Sequence, residues 1–233
     1  MTFVLVHGGA HGGWCWERMV PHLEGDAVAI DLPGRGANPA PLDSLTASDW
    51  AQAVVETITE LDAEKVILVG HSLAGITLPR VAEVIPERLS RMVFVSCAVP
   101  PDGGSVIDIL TPEIRPLAEQ NLKEKQASAL PEAVAREMFC GDMNEEQARF
   151  VLDRLVPEAW GPMLEPCRLA GLSRGVPTTY VKLLEDTVLP PALQDQMIAH
   201  MGEVEVVELE AGHDAMVSQP EGLAALLNRL AAA

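Results

Sequence analysis

A serine flanked by small residues is the residue of this chain best placed to do chemistry. Ser72 follows the apolar run 66–69 in the segment Gly70-His71-Ser72-Leu73-Ala74-Gly75, and the residues after it can form a helix. A serine between a buried strand and a helix lies in a tight turn, which exposes its hydroxyl at the helix N-terminus. The pattern predicts that Ser72 is a nucleophile. Because Ala74 stands where the usual Gly-x-Ser-x-Gly pattern has a glycine, a plain small-residue turn is the alternative.

A histidine and an acid follow Ser72 in the order that nucleophilic catalysis requires. A serine hydroxyl needs a base to take its proton, and the base needs a carboxylate to orient it. His213 lies in a glycine-led loop after an apolar strand near the chain end. Asp186 ends the preceding predicted strand, and its neighbour Glu185 is a rival that should point in a different direction. We therefore favour the triad of Ser72, His213 and Asp186.

The glycine-rich loop His7-Gly8-Gly9-Ala10-His11-Gly12-Gly13 after the first predicted strand fits two functions. Its glycines approach the Gly-x-Gly-x-x-Gly spacing of a dinucleotide site, and Asp31 lies where an acid could bind the ribose. However, Ala10 replaces the middle glycine, and Trp14 follows where a pyrophosphate should meet a helix start. The other function is an oxyanion hole, which uses a backbone N–H of such a loop. We favour the oxyanion hole.

Buried strands alternate with helices along the chain and position these residues. Apolar runs bounded by turn residues predict strands at 3–6, 27–30, 65–69, 91–97, 178–184 and 204–209. Apolar residues at helical spacing predict helices at 16–23, 51–61, 76–85, 191–201 and 220–230. Pro79 is expected to kink or shorten the helix after Ser72. The alternation predicts an α/β fold with a six-stranded, mostly parallel sheet flanked by helices, whose strand ends converge on one edge.

The segment 98–175 lacks strand-like runs and has the pattern of a helical cap inserted between the core segments 1–97 and 176–233. We expect its helices near 112–122, 131–139, 144–155 and 163–172. Five of its residues could line a pocket, or could equally be packing between small helices: Met138, Phe139, Met143, Trp160 and Met163. Further substrate contacts are expected from four core residues, namely His7, His11, Trp14 and Met216. For the two histidines, a role in shaping the glycine loop is the alternative.

Composition narrows the class of partner. The formal charge of -18 and pI of about 4.6 repel nucleic acid and anionic membrane surfaces, and favour a small-molecule partner. No apolar stretch is long enough to span a membrane, and no signal peptide is recognised. The four cysteines lack zinc-ligand or Cys-x-x-Cys spacing, which indicates reduced thiols and a cytoplasmic protein. We expect no metal or organic cofactor, and leave a homodimer open.

Four segments together resemble the esterase and hydroxynitrile lyase branch of the α/β-hydrolase superfamily. Phe3–Trp16 looks like the opening of that branch, and Lys65–Gly75 looks like its nucleophile strand and turn. Glu185–Pro190 is similar to its acid loop, and Ala211–Met216 is similar to its histidine loop. The resemblance covers the sheet and is weak across the cap. It implies the α/β-hydrolase fold, an oxyanion hole formed by the backbone N–H groups of Gly9 and Leu73, and a cap after Cys97.

Within that branch, the sequence favours ester hydrolysis over cyanohydrin cleavage. The lyases place a lysine after the catalytic histidine to favour the leaving cyanide, whereas this chain has Asp214 there. They also carry a carboxylate where this chain has His71. We therefore predict a serine hydrolase of small apolar carboxylic esters, with lactones as a further substrate class. A hydroxynitrile lyase is the nearest alternative, and a small-molecule receptor with little turnover is the alternative outside enzymes.

Overall fold

A parallel sheet forms the centre of the molecule, of which the computed structural model describes residues 1–110, 115, 120 and 129–233. The strands are β1 (Thr2–Val6), β2 (Asp26–Ile30), β3 (Val66–His71), β4 (Leu89–Val95), β5 (Thr178–Leu183) and β6 (Glu205–Leu209). Their order is β2-β1-β3-β4-β5-β6, and each neighbouring pair is parallel. The six-stranded sheet predicted from the sequence is confirmed.

Alternate residues of the central strands pack on opposite faces of the sheet. Val4 and Val6 of β1 belong to one hydrophobic cluster, whereas Phe3 and Leu5 belong to another. Successive side chains of a strand point to opposite faces, so a strand that is apolar at every position must be covered on both sides. Every residue of β3 is buried, which places the strand that leads to Ser72 in the interior of the protein.

Helices cover both faces. Those with described bounds are α1 (Ala47–Glu60), α2 (Leu78–Val84), α3 (Val106–Ile109), α4 (Glu132–Phe139), α5 (Glu145–Leu152), α6 (Gly161–Leu164), α7 (Pro191–Met201), α8 (Ala215–Ser218) and α9 (Pro220–Ala232). Apolar residues of α1, α2 and α7 join the cluster that contains Val4, and those of α9 join the cluster that contains Phe3. The described helices α3 to α6 all lie between β4 and β5, in the segment where the sequence indicates a cap.

The chain after Ser72 differs from the single helix predicted at 76–85. A 3-10 helix spans Ser72–Ile76, and α2 follows from Leu78. Pro79 therefore lies in the first turn of α2, where an amide N–H has no partner within the helix and proline is favoured. Of the two expected effects of Pro79, the shortening is observed: α2 spans Leu78–Val84 and begins one residue before the proline, which does not interrupt it.

Two other predicted helices are also divided. In place of the α-helix predicted at 16–23, one 3-10 helix, Gly13–Trp16, ends at the first residue of that stretch and a second spans Val20–His22. The helix predicted at 163–172 is split between the end of α6 and the 3-10 helix Ala170–Ser173. Most of the helix predicted at 112–122 lies outside the described residues.

Two further sequence expectations have a structural counterpart. Cys15, Cys97, Cys140 and Cys167 are all buried free thiols. Among the residues that the structure describes, no helix has both the length and the apolar character needed to cross a bilayer.

Candidate active site

Ser72 lies at the end of β3 in a strained turn. Its φ is 51°, a left-handed conformation that residues other than glycine seldom adopt. A Cβ on Gly70 would lie 3.0 Å from the Ala74 Cβ, and a Cβ on Gly75 would overlap the backbone of Ala98. Gly75, one place after the usual glycine, therefore provides the close backbone approach, and alanine is accommodated at position 74.

Ser72, His213 and Asp186 come together at the carboxyl ends of β3, β5 and β6. The Ser72 Oγ lies 2.9 Å from His213 Nε2, and His213 Nδ1 lies 2.6 Å from Asp186 Oδ2. Because the carboxylate accepts from Nδ1–H, Nε2 is left with the lone pair that can take the serine proton. Glu185 is exposed, so the structure brings Asp186 rather than its neighbour to the histidine.

Asp186 is held by four donors. Its Oδ1 accepts from the backbone N–H groups of Val188 at 2.7 Å and Leu189 at 2.8 Å, and its Oδ2 accepts from His213 and from the Ser96 hydroxyl at 2.5 Å. Burial alone would raise the pKa of Asp186, but the His213 charge and these hydrogen bonds outweigh it and hold the pKa below its usual value. The carboxylate therefore stays ionised beside the histidine.

Ser96 is a site residue that the sequence analysis missed. It follows β4 directly and has a φ of 40°. Its position at a strand end is the signal by which it could have been found, because the other site residues follow strands of the same sheet.

Gly9 and Leu73 line a cavity with Ser72, as the oxyanion-hole prediction requires of its two donors. Leu73 lies in the first turn of the 3-10 helix that begins at Ser72, where backbone N–H groups have no acceptor within the helix. Among the described residues, the Gly9 N–H makes no hydrogen bond either. Two free N–H groups beside the nucleophile are what stabilisation of an oxyanion needs.

The dinucleotide alternative for this loop does not fit. The loop leads into the four-residue 3-10 helix Gly13–Trp16, so there is no α-helix start to receive a pyrophosphate. The Gly13 N–H instead donates to Asp31 Oδ1 at 2.8 Å, and the Ala37 N–H donates to the other oxygen of Asp31 at 2.9 Å. Both carboxylate oxygens of Asp31 therefore bind backbone N–H groups of the protein itself, rather than facing a site for a ribose.

The cavity is lined mainly by apolar residues of the cap and the strand ends, and its volume is about 230 Å³. Beside Gly9, Ser72 and Leu73, its wall includes Ala10, Ala98, Val106, Ile109, Leu110, Leu130, Met138, Phe139, Glu158, Trp160, Met163, Val188, Leu189 and Leu193. Met138, Phe139, Trp160 and Met163 thus lie where the sequence analysis expects substrate contacts. Met143 is not among the lining residues, and it packs instead against the cluster that contains Phe3.

Four other predicted substrate contacts lie outside the cavity wall. The His7 side chain packs under its own loop, and His11 is buried and stacks on Trp14 with the ring centroids 5.2 Å apart. Met216 is fully buried in the cluster that contains Phe3. These four side chains, at 7, 11, 14 and 216, therefore do not line the cavity: three of them are buried, and Trp14 is half-buried.

His71 does not line the cavity, but it contacts a loop of the site. Its Nε2 donates to the His213 backbone carbonyl at 2.9 Å, so it supports the loop of the histidine. Burial and, to a smaller extent, the nearby His213 together lower the pKa of His71 to about 3, which keeps the ring neutral.

One buried group in the described part of the chain has metal-ligand side chains, namely His71, His213 and Asp214. Both ring nitrogens of His213 are already bonded, to Ser72 and to Asp186. A metal at this group would have to displace one of those bonds, so the donor set fits a hydrogen-bonded triad better than a metal centre.

Comparison with known proteins agrees with this geometry. The family model described as "Alpha/beta hydrolase family" matches residues 3–226. The chain belongs to this family. The family's characteristic fold is the one described above, which confirms the resemblance seen in the sequence.

Individual relatives narrow the branch within the α/β-hydrolase family. "Methylesterase 4" of Arabidopsis thaliana is 29% identical over 98% of this chain and 95% of its own length. "Putative methylesterase 11, chloroplastic" of the same plant is 28% identical over 98% of this chain, which spans only 63% of that relative. A solved structure described as an extracellular alpha/beta-hydrolase from Paenibacillus species is 26% identical, with a TM-score of 0.89 and 98% of each chain covered. The chain is therefore a methylesterase-like member of the family.

Proposed function

We propose that this α/β-hydrolase cleaves carboxylic esters through an acyl-enzyme on Ser72. His213 takes the proton as the Ser72 oxygen attacks the ester carbonyl, and Asp186 stabilises the imidazolium that forms. The backbone N–H groups of Gly9 and Leu73 stabilise the oxyanion, and His213 then protonates the leaving alcohol. A water activated by His213 releases the acid. The observation that carries this proposal is the hydrogen-bonded chain from Ser72 to Asp186 at the floor of an apolar cavity.

The cavity supports a small, largely apolar substrate. Leucine, valine, isoleucine and methionine side chains form most of its wall, and its charged residue is Glu158. Because Glu158 is already paired with Arg35 and the described lining holds no other charged side chain, a negative group of the substrate near the carbonyl would be buried without a partner. The names of the relatives support methyl esters as the first class to test. Lactones are a second class, because the same attack opens a cyclic ester.

Cyanohydrin cleavage is less well supported. The position after His213 holds Asp214, whose carboxylate is buried and hydrogen-bonded to His11 at 2.9 Å. No cation at that position can therefore stabilise a leaving cyanide. Release of cyanide from mandelonitrile above the rate in buffer would favour the lyase instead.

Labelling and turnover test the proposal together. Wild type should react with a fluorophosphonate probe and hydrolyse a panel of methyl esters that vary in acyl length. Ser72→Ala should lose labelling and lower the rate roughly 10⁴- to 10⁶-fold. The control is Ser44→Ala, which removes an exposed hydroxyl that does not line the cavity and should change neither readout. Retained turnover in Ser72→Ala would refute the mechanism, and thermal stabilisation by esters without turnover in wild type would favour a receptor.

A further inference from the structure

Gly9 belongs to two peptide units, one on each side of its Cα. Apart from the Gly9 N–H itself, the N–H and carbonyl groups of these two units are all hydrogen-bonded to side chains. The first unit joins Gly8 to Gly9, and its carbonyl accepts from His7 Nδ1 at 2.8 Å. The other ring nitrogen of His7 accepts from the Leu32 N–H at 3.2 Å, which fixes the tautomer. Burial lowers the pKa of His7 to about 3, so the ring is neutral as these contacts require. A trans peptide directs its N–H opposite to its carbonyl, so this contact sets the direction of the Gly9 N–H.

The second unit joins Gly9 to Ala10 and is held at both ends. Its carbonyl, on Gly9, accepts from His11 Nδ1 at 2.7 Å. Its N–H, on Ala10, donates to Glu158 Oε2 at 2.6 Å. The Ala10 carbonyl then accepts from the Val156 N–H at 3.0 Å, so the segment after α5 binds this residue on two sides.

Each of these two side chains is itself held by a buried counter-ion. His11 Nε2 lies 2.9 Å from Asp214 Oδ2, and Glu158 Oε1 accepts from the guanidinium of Arg35. His11 faces an acceptor at each ring nitrogen, which requires both to carry a proton. Burial alone would lower the pKa of His11, but the charge and hydrogen bond of Asp214 outweigh it and raise the pKa. The histidine is therefore an imidazolium in a buried pair.

The loop needs such restraint. Glycine adopts many backbone conformations, and Ala10 has a φ of 60°, which costs on the order of 1–3 kcal/mol for a residue with a side chain. Rotation of the Gly8–Gly9 peptide would turn the Gly8 carbonyl oxygen, rather than the Gly9 N–H, toward the developing oxyanion. The hole can stabilise negative charge only while the loop stays in one conformation.

We propose that His11 and Glu158 are positioning residues of the oxyanion hole, which hold opposite ends of the Gly9–Ala10 peptide and are themselves fixed by Asp214 and Arg35. The proposal rests on the proposed ester hydrolysis. Two separate parts of the chain would then position the glycine loop. Asp214 belongs to the loop that carries His213, and Glu158 belongs to the segment between β4 and β5. That segment therefore helps to build the catalytic apparatus in addition to enclosing the substrate.

Two matched pairs of variants test this. His11→Asn keeps a side-chain N–H for the Gly9 carbonyl, and His11→Leu removes it, while Asp214 loses its partner in both. Glu158→Gln keeps an acceptor for the Ala10 N–H, and Glu158→Met removes it, while Arg35 loses its partner in both. Comparison within a pair therefore isolates the contact to the loop from the loss of the ion pair.

We expect the kcat of His11→Leu to be roughly 10- to 100-fold below that of His11→Asn, and the kcat of Glu158→Met to be lower than that of Glu158→Gln by the same factor. The KM values should change less than about threefold, because the oxyanion contact exists only in the transition state. Inactivation by a fluorophosphonate should slow in parallel. His200→Leu is the control, since it removes a 2.7 Å contact from a histidine to the Val99 carbonyl outside the loop, and should leave kcat unchanged.

Equal kcat values within both pairs would overturn the positioning role, and so would a change confined to KM. Thermal unfolding identifies any variant that fails to fold, in which case the other pair decides. A wild-type protein without ester turnover would refute the proposed function, whereas active wild type with unaffected variants would refute only this inference.

Discussion

Adding one methyl group at Gly8 is the sharpest test of how the glycine loop packs on the nucleophile. A Cβ at this position would lie 2.8 Å from the Ser72 Cβ, 3.1 Å from His71 Nδ1 and 3.2 Å from the His71 carbonyl oxygen. Carbon atoms in contact are normally about 3.5–4.0 Å apart, so the loop and Ser72 must separate by roughly 0.7 Å. Ser72 is already strained at a φ of 51°, and the strand before it is fully buried, so little relaxation is available.

The expected consequence falls on the catalytic hydrogen bond. If Ser72 moves by that amount, its 2.9 Å contact with His213 approaches about 3.6 Å, beyond hydrogen-bonding distance. Misplacement of a reacting group by about 1 Å can cost on the order of 100-fold in rate, so Gly8→Ala should lower kcat/KM roughly 10- to 100-fold. Crowding in a packed region should also cost about 1–3 kcal/mol of unfolding free energy.

The assay compares ester turnover and chemical unfolding of Gly8→Ala with those of wild type. Gly141→Ala is the matched control, because a Cβ there would meet no atom within 4 Å, and both quantities should stay at the wild-type level. Turnover of Gly8→Ala within twofold of wild type, at unchanged stability, would refute the packing argument.

Two further predictions concern buried groups. Ser96→Ala removes one of the donors to Asp186, so it should lower stability by about 1–3 kcal/mol in urea unfolding but kcat by less than about tenfold, because His213 stays bound; a kcat loss above 100-fold would contradict this. The pKa values of His7 and His71 are both lowered to about 3, so below pH 6.5 the unfolded chain binds protons that the folded chain does not. The free energy of unfolding should therefore decrease as the pH is lowered from 6.5 to 4.5, by up to about 1.4 kcal/mol per pH unit for each histidine. His11, whose pKa is raised, adds stability that is lost only as the pH rises above 6.5. Unfolding free energies that do not change between pH 6.5 and 5 would refute the neutral state of the two rings.

Local patterns were sufficient to predict the sheet and the residues at its strand ends. A strand buried on both faces must be apolar throughout, and strands of a parallel sheet end on the same edge, so the positions of Ser72, Asp186 and His213 could be inferred together. Alternation along a strand does not explain why Glu185 is exposed, because β5 ends at Leu183 and both acids lie in the turn after it. Short elements were harder, because the 3-10 helix at Ser72–Ile76 depends on how tightly the chain packs on its neighbours.

Sequence alone determined the fold class and the chain order of the three residues of the proposed triad, because these depend on hydrophobic periodicity and on turns within a few residues. Only the tertiary structure decided what surrounds them. Ser96 contacts Asp186 across 90 positions, Glu158 contacts Ala10 across 148, and His11 contacts Asp214 across 203. No local pattern encodes contacts between residues so far apart. The sequence accordingly predicts a substrate contact for His11, whereas the fold buries its side chain.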